Sequence, residues 1–520
     1  MRLGDLLDRT ARLVELAGAE AVPAALRERH VTGIEYDSRR VTPDAIFFAL
    51  RGQRSDGMAF AAQAASLGAV AIVAETPAPA AHEPTGWLVA RDARLALAAF
   101  AAVFFRHPSE ELLVTGVTGT TGKTTTAYLL RAIFEGSGLP CGLIGTIGYR
   151  IADDERAASR TTPEAPDLQR LLREMVDRRR AACAMEVSSH ALALRRADYL
   201  RFSAAVFTNL TRDHLDFHGG MEPYFLAKRR LFEMLPAGAP AVVNADDPYG
   251  VRLAAEFPAA VTYGVERAAD ISVAGLSMTL SGFTCEVRTP RGPLRLRSPL
   301  AGRPNVYNVL AAVSTAVGLD LPFGGIEAGV RALGHVPGRF QTVTGPGDDI
   351  TVTVDYAHTD DALRNLLETA RPLARGRLIT VFGCGGDRDR TKRPLMGAVA
   401  ARLSDLVVVT SDNPRSEDPE RIIDEIKKGI VAPERPATRG GQPVPAVTSS
   451  PWLAVVDRRE AILRAIHEAR PGDMVVIAGK GHEKLQVVGD RELPFDDVEV
   501  AQEALASRRE RLAAEARNRR

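Results

Sequence analysis

The stretch Leu112–Thr126, LLVTGVTGTTGKTTT, constrains this chain more than any other. A short apolar run leads into a glycine loop, the loop closes on a Lys-Thr pair, and Lys123–Glu135 reads as the helix that follows. In that setting successive backbone N–H groups and the positive end of the helix surround an anion, here the β- and γ-phosphates of a nucleotide. Gly119 and Gly122 let the backbone approach closely. Lys123 brings a full positive charge, and Thr124 offers a hydroxyl to Mg²⁺. The full G-x-x-x-x-G-K-[ST] pattern would need glycine at Val117; glycines stand instead at 116 and 119, so the form is the shorter G-T-T-G-K-T. A solvated lysine behind a glycine turn would account for the loop alone. It does not account for strand, loop, Lys-Thr pair and helix coinciding. Gly116, Val117, Thr118, Gly119, Thr120, Thr121, Gly122, Lys123, Thr124 and Thr125 are therefore the expected nucleotide-binding residues.

Strand-like and helix-like pieces alternate on both sides of this loop, which predicts an α/β chain with parallel sheets. Ala45–Leu50 and Ala69–Ala74 read as buried strands, with Met58–Leu67 an Ala-rich helix between them. Leu95–Phe105 reads as a helix that stops at His107-Pro108, because proline cannot continue it. Further strands are expected at Ala182–Val187, Ala204–Thr208, Ala241–Asn244, Ile350–Asp355, Leu378–Phe382, Leu406–Thr410 and Met474–Ala478, and a helix at Asn305–Val317. Asp270–Leu300 reads as antiparallel strands with a hairpin turn at Pro290–Pro293. Residues 431–451 read as a surface loop, and the charged last twenty residues as a solvated helix. At roughly 100–200 residues per domain, 520 residues make about three domains. The expected divisions are 1–108, 109–341 and 342–520, the second near the turn-rich TGPGDD.

Charge excludes some partners. With 66 basic and 65 acidic residues the net charge is +1, which gives no field for gathering nucleic acid or an anionic membrane. The cysteines Cys141, Cys183, Cys285 and Cys384 are far apart, without C-x-x-C spacing, which fits a reducing compartment. The N-terminal MRLGDLLDRTARLVELAG is an amphipathic pattern without the apolar run of a signal peptide, so the expected location is the cytoplasm.

Two later stretches suit a hard cation. AMEVSSH ends a strand in Glu186, with Ser188, Ser189 and His190 behind it; TNLTRDHLDFH ends the next strand in a polar cluster containing His214. In open α/β sheets ligands sit at the carboxyl ends of strands. Glu186 is a natural Mg²⁺ ligand and His214 a less usual one. Asp213, His214, Asp216 and His218 also admit a zinc reading, although no spaced histidine pair or cysteine supports it.

G-T-T-G-K-T, then E-V-S-S-H, then T-N-L-x-x-D-H-L-D-x-H, in that order, resembles the Mur ligases, and most of all the branch that adds the third residue of the peptide stem. The resemblance extends over nearly the whole chain, through YDSRRVTPDAIFFALRGQRSDG at one end and FGCGGDRDRTKRP, SDNPR and AGKGHE at the other. It implies three domains: one for a UDP-sugar, a central P-loop-type ATPase domain, and a Rossmann-like C-terminal domain that holds an amino acid. It implies ATP and Mg²⁺, with UDP-N-acetylmuramoyl-L-alanyl-D-glutamate as acceptor, and a monomer. By position, Tyr36, Ser38, Gln53, Arg54 and Ser55 would lie at the uridine end, and Arg160, Thr161, Thr162, Ser188, Leu194 and Arg196 at the muramoyl-peptide. Leu194 departs from members that carry glutamine there. Lys228, in LAKRRLF, matches a lysine that the family carbamylates to hold a second Mg²⁺, although on pattern alone it reads as a surface lysine on a helix. Asn305, Arg339 and Asp355 match positions around the adenine, phosphates and ribose of ATP. Arg388, Asp412, Asn413, Pro414, Arg415, Gly479 and Glu483 match positions that hold the incoming amino acid.

Arg415 bears on which amino acid that is. A guanidinium is a planar fork that suits a carboxylate, and burying either one unpaired is costly. meso-Diaminopimelate carries a distal carboxylate and L-lysine does not, so the D-N-P-R sequence favours diaminopimelate, with L-lysine or another Mur- or folylpolyglutamate-type amide ligation as the alternative.

Overall fold

The computed structural model describes residues 1–52, 55–79, 85–345, 347–431, 438–439, 442–443 and 451–518. Three large sheets organise the chain. The first orders its strands Leu16–Ala17, Gly86–Ala90, Ala71–Ala74, Ile46–Phe48, Ile34–Glu35; all neighbours are parallel except the first pair.

The second sheet has eleven strands, in the order Gly292–Ser298, Gly282–Thr289, Ile271–Thr279, Val261–Gly264, Ala241–Asn244, Ala204–Phe207, Leu113–Thr118, Ala182–Glu186, Cys141–Ile144, Gly148–Ile151, Asp154–Ala157. Its middle is parallel and its two ends antiparallel. Parallel strands are covered on both faces, which is why Ala182–Glu186 and Ala204–Phe207 are apolar almost throughout and buried at every position. Helices Lys123–Gly136 and Arg303–Gly318 cover one face. Ala165–Asp177 covers the other through Leu168, Leu171, Leu172 and Met175, the i, i+3, i+4, i+7 stripe of an amphipathic helix.

The third sheet runs Gln341–Thr342, Thr351–Asp355, Met474–Ala478, Leu378–Phe382, Leu406–Val409, Trp452–Ala454, parallel except for its first strand. Helices Asp360–Ala370, Lys392–Leu403 and Pro419–Val431 pack on one face; Arg458–Glu468 and the start of Asp497–Asn518 pack on the other.

Two expectations needed revision. Met58–Leu67 is not one helix: the Asp56 carboxylate accepts from Met58 N at 3.0 Å and starts a 3₁₀ turn, Gly57–Phe60, and the α-helix begins only at Ala61. The terminal helix is not simply solvated. Ala501, Ala504 and Leu505 are buried, and Arg508 pairs with Asp349 at 2.8 Å. Most of the expected loop at 431–451 lies outside the described residues. The hairpin turn falls where expected, between Thr289 and Gly292. Among the described residues, no helix is long and apolar enough to cross a membrane.

Candidate functional site

Strand Leu113–Thr118 lies between Ala182–Glu186 and Ala204–Phe207, with Val117 opposite Glu186 and Thr118 opposite Phe207. The chain therefore delivers the glycine loop, Glu186 and Thr208 to one edge, at the point where connections leave the sheet in both directions. Gly119 (φ 146°) and Gly122 (φ 84°) adopt backbone conformations that L side chains rarely take. A Cβ on Gly119 would stand 1.9 Å from Thr208 Oγ1, and one on Gly122 2.5 Å from Asn308 Oδ1. The loop is held from the neighbouring strand end. Thr208 Oγ1 donates to the Thr121 carbonyl (2.6 Å), Thr120 N donates to the Asn209 carbonyl (2.9 Å), and Thr121 N donates to Asn209 Oδ1 (3.0 Å).

Lys123 opens the helix and folds back, its ammonium donating to the carbonyls of Gly119 and Thr120 at 2.9 Å each. Burial pushes its pKa down. Thr124 Oγ1 donates to Glu186 Oε2 at 3.1 Å and accepts from the Arg339 guanidinium at 3.1 Å. Glu186 is buried, and its carboxylate is oriented by Thr146 through the backbone N (2.8 Å) and hydroxyl (3.1 Å).

Lys228 is not a surface lysine. It is 1% exposed, lies over the Tyr224 ring at 4.5 Å, and donates to the Gly119 carbonyl at 2.7 Å. Among the described residues no carboxylate pairs with it. Burial, with Lys123 adding to it, holds its pKa well below the usual lysine value. His214 packs edge-on against His190, ring centres 4.7 Å apart, and its Nε2 is 3.3 Å from Asp213 Oδ2. Burial lowers its pKa, with Lys123 and Lys228 contributing.

The expected acceptor residues fall into two groups. Thr162 Oγ1 donates to the Glu186 carbonyl (2.9 Å) and accepts from Ser188 N (3.0 Å); Thr161 and Thr146 hydroxyls are 3.0 Å apart; Arg196 pairs with Glu164 at 2.9 Å and donates to the Thr162 carbonyl. Thr161, Thr162, Arg196 and Ser188 thus join the Glu186 strand end. The Arg160 carbonyl accepts from Tyr149 OH at 2.7 Å, and Leu194 ends the short helix Ser189–Ala193. Tyr36 belongs to the first sheet's layer, yet its hydroxyl donates to Asp167 Oδ2 at 2.5 Å across to helix Ala165–Asp177. Ser38 is buried on Gln63 (2.9 Å), and Ser55 is exposed. Gln53 and Arg54 lie outside the described residues.

Asn305 reaches the loop through Asn308, whose amide donates to Asn305 Oδ1 at 3.0 Å. Asp355 ends a strand and accepts from Phe340 N (2.6 Å) and Ala357 N (2.8 Å), while burial raises its pKa. Gly479 and Glu483 follow strand Met474–Ala478, which pairs with the Asp355 strand, and Asp412, Asn413, Pro414 and Arg415 follow strand Leu406–Val409, two places further along the sheet. Asn413 Nδ2 donates to Glu483 Oε2 at 2.9 Å. A Cβ on Gly479 would stand 2.8 Å from Asp412 Oδ2. Arg415 has φ 52° and donates to the Gly386 carbonyl at 2.8 Å; among the described residues it makes no ion pair with a carboxylate. Arg388 is exposed and donates to the Asp387 carbonyl.

Set against known proteins, residues 30–104 match the Mur ligase family catalytic domain, 117–316 the Mur ligase middle domain, and 338–481 the Mur ligase glutamate ligase domain. A UDP-N-acetylmuramoyl-L-alanyl-D-glutamate--2,6-diaminopimelate ligase of Geobacter metallireducens is 46% identical over 506 residues, 96% of this chain and 97% of that protein. The chain belongs to the Mur ligase family. A protein with the same description from Gloeobacter violaceus is 46% identical over 98% of this chain and 99% of its own length. A solved structure of a UDP-N-acetylmuramoyl-L-alanyl-D-glutamate--2,6-diaminopimelate ligase superposes with a TM-score of 0.64 at 34% identity, covering 93% of this chain and 96% of that one. The three-domain Mur ligase architecture expected from the sequence is the one observed.

Within this Mur ligase, the zinc reading fails on geometry. Among the described residues no three His, Cys, Asp or Glu converge on a metal position, and His218 Nε2 instead meets Ser189 Oγ at 3.0 Å. Sequence reasoning also missed Asn209, Thr146, Asn308 and Lys480, which orient the residues it did find. Asn209 sits inside the TNL stretch that drew attention, so its polarity at a strand end was a usable signal.

Proposed function

We propose that this Mur ligase joins meso-2,6-diaminopimelate to UDP-N-acetylmuramoyl-L-alanyl-D-glutamate at the expense of ATP, through an acyl phosphate, in peptidoglycan precursor synthesis. It acts as a cytoplasmic monomer. The observation that carries this reading is the pairing of two sites. One is the glycine loop with Glu186 at its edge; in the other, past Asp355, Asn413 meets Glu483, and Arg415, which among the described residues makes no ion pair with a carboxylate, donates to the Gly386 carbonyl.

The loop's N–H groups and Lys123 bind the triphosphate. To do so the Lys123 ammonium exchanges the Gly119 and Thr120 carbonyls for phosphate oxygens, a stronger charge-assisted contact. The donors at the loop fit Mg²⁺: one threonine hydroxyl, Thr124, touches one buried carboxylate, Glu186, and Mg²⁺ takes one or two protein oxygens and completes its shell with phosphate and water. Bound there, the ion neutralises phosphate charge. His214 would serve as a further ligand. Burial, which disfavours the charged form of Lys228, and the lack of a paired carboxylate among the described residues favour addition of CO₂ to its amine; the nitrogen forms the new bond to carbon, a proton leaves, and the carbamate would give the site a second anionic donor.

The acceptor lies along Thr161, Thr162, Ser188 and Arg196, with Tyr36, Ser38 and Ser55 at its uridine end. Its D-glutamyl carboxylate oxygen bonds to the γ-phosphorus as the bond to ADP breaks. The diaminopimelate amine then attacks the acyl carbon, loses a proton, and phosphate leaves. Asp412, Asn413 and Glu483 hold the distal ammonium, and Arg415 takes the distal carboxylate. Asn305, Arg339 and Asp355 border the nucleotide.

The test is a product mass. Purified chain is incubated with ATP, Mg²⁺, UDP-muramoyl-dipeptide and either diaminopimelate or lysine. A diaminopimelate adduct, with phosphate release that requires both acceptor and amino acid, is the expected result. An adduct with lysine only, or ATP hydrolysis indifferent to both, refutes the reading.

A further inference from the structure

Lys480 has a side chain that is 0% exposed, yet no step above uses it. It sits between Gly479 (φ 119°) and Gly481 (φ 55°), directly after the buried strand Met474–Ala478. Its ammonium donates to Asn413 Oδ1 (3.0 Å), Glu483 Oε2 (3.0 Å) and the Leu485 carbonyl (2.6 Å), so all three protons are committed. Asp412 Oδ1 lies 3.9 Å away. Asn413 is fixed in consequence: its oxygen accepts from Lys480 and from Val487 N (3.0 Å), and its amide donates to the same Glu483 oxygen that Lys480 holds. Glu483 Oε2 thus has two donors, and Oε1 is left for a ligand on a side chain that is a third exposed.

Charge in this pocket is then simple. Asp412 and Glu483 bring two negative charges, the buried Lys480 offsets one, and Arg415 opposes what remains. One anionic and one cationic position are what a zwitterionic amino-acid end presents to. Without Lys480 the pocket has two carboxylates against one guanidinium, which suits a bare ammonium better.

We propose that Lys480 is a positioning residue that sets amino-acid specificity, locking Asn413 and Glu483 and cancelling one carboxylate so that the pocket prefers a distal ammonium plus carboxylate over an ammonium alone. This rests on the C-terminal pocket being the diaminopimelate site. The experiment is steady-state kinetics on the full chain with Lys480→Met, using diaminopimelate and L-lysine as separate substrates. The KM for diaminopimelate rises roughly 30-fold or more, the loss typical of truncating one partner of a buried hydrogen-bonded charge pair. The ratio of kcat/KM for diaminopimelate to that for lysine falls about tenfold or more, while the KM values for ATP and UDP-muramoyl-dipeptide stay within about twofold. An unchanged diaminopimelate KM and ratio overturn the inference, and so does an equal rise in all three KM values, which would mark a merely structural lysine. Should Lys480→Met be too unstable to assay, Lys480→Met/Glu483→Gln removes charge from both ends of the contact and is compared with Glu483→Gln alone. If the two groups act as a unit, the added Lys480→Met leaves the diaminopimelate KM within about twofold or lowers it. A further tenfold rise refutes the idea. Failure of the functional reading looks different, because there the unaltered chain itself forms no diaminopimelate adduct.

Discussion

Replacing Asp497 by asparagine removes one charge at the centre of the C-terminal layer. Arg458 and Asp497 both have side chains that are 0% exposed and meet through two bonds, Nε–Oδ1 at 2.8 Å and a terminal N–Oδ2 at 2.7 Å. The same guanidinium donates to the Ala478 carbonyl at 3.0 Å and approaches the Ser411 carbonyl at 3.4 Å. One side chain therefore ties the starts of helices Arg458–Glu468 and Asp497–Asn518 to the two strand ends that lead into Gly479 and Asp412. Asparagine keeps the shape, but its NH₂ faces a guanidinium N–H, so one of the two bonds is lost along with the charge. Two unit charges about 4 Å apart attract by about 4 kcal/mol at an effective dielectric of about 20. Breaking a buried pair from one side costs about 3–5 kcal/mol, because the remaining charge is stranded. At about 2–4 °C per kcal/mol for a domain of this size, the C-terminal melting midpoint drops by about 6–20 °C. Scanning calorimetry of the purified chain measures it. The companion variant Arg458→Met/Asp497→Leu, which strands nothing, should lie much closer to the parent. A drop below about 2 °C for Asp497→Asn, or a double variant as unstable as the single one, refutes the reasoning.

Three more outcomes follow from the geometry. Gly119→Ala forces a methyl to 1.9 Å from Thr208 Oγ1 at φ 146°, so the loop must open; ADP affinity by calorimetry should fall about tenfold or more, the equivalent of an overpacking cost of about 1–3 kcal/mol. Arg415→Met should lower kcat/KM for diaminopimelate by about 10²–10⁴-fold, the equivalent of stranding a carboxylate at about 3–5 kcal/mol, with little effect on lysine; equal losses on both substrates would show that the guanidinium does not read the distal carboxylate. The Arg393 guanidinium holds the Glu417 carboxyl down to about 2 from its ordinary 4.5. A depressed pKa means stability that is present above about pH 4.5 and lost as pH falls towards 2. Acid denaturation of Glu417→Gln should therefore be shallower than that of the parent across this window, and parallel curves would count against the pairing.

What the sequence discloses and what it conceals divide along one physical line. The glycine loop is legible because its parts are consecutive: strand, turn and helix N-terminus bind an anion with backbone groups of one segment. Glu186 is legible because an apolar strand ends directly in a carboxylate, whereas Asp412, set off from its strand by Thr410 and Ser411, is legible through the D-N-P-R motif it opens. Lys228 reads as a surface lysine since LAKRRLF looks like a polar helix face, and only the packing of Tyr224 and the Gly119 carbonyl against it turns that face inward. Lys480 and Arg458 escape for the same reason. The contacts of Lys480 with Asn413 and of Arg458 with Asp497 span 67 and 39 positions, and no periodicity reports a contact of that length. Yet each carries a faint local mark: Lys480 is a single cation between two glycines at the end of a wholly apolar strand, where nothing but burial awaits it. A charge in such a place costs too much to be retained without a partner, so it predicts that a carboxylate lies nearby even where it does not say which one. The groups that bind substrates sit at strand ends and can be read from the chain, whereas the groups that aim them are set by the fold.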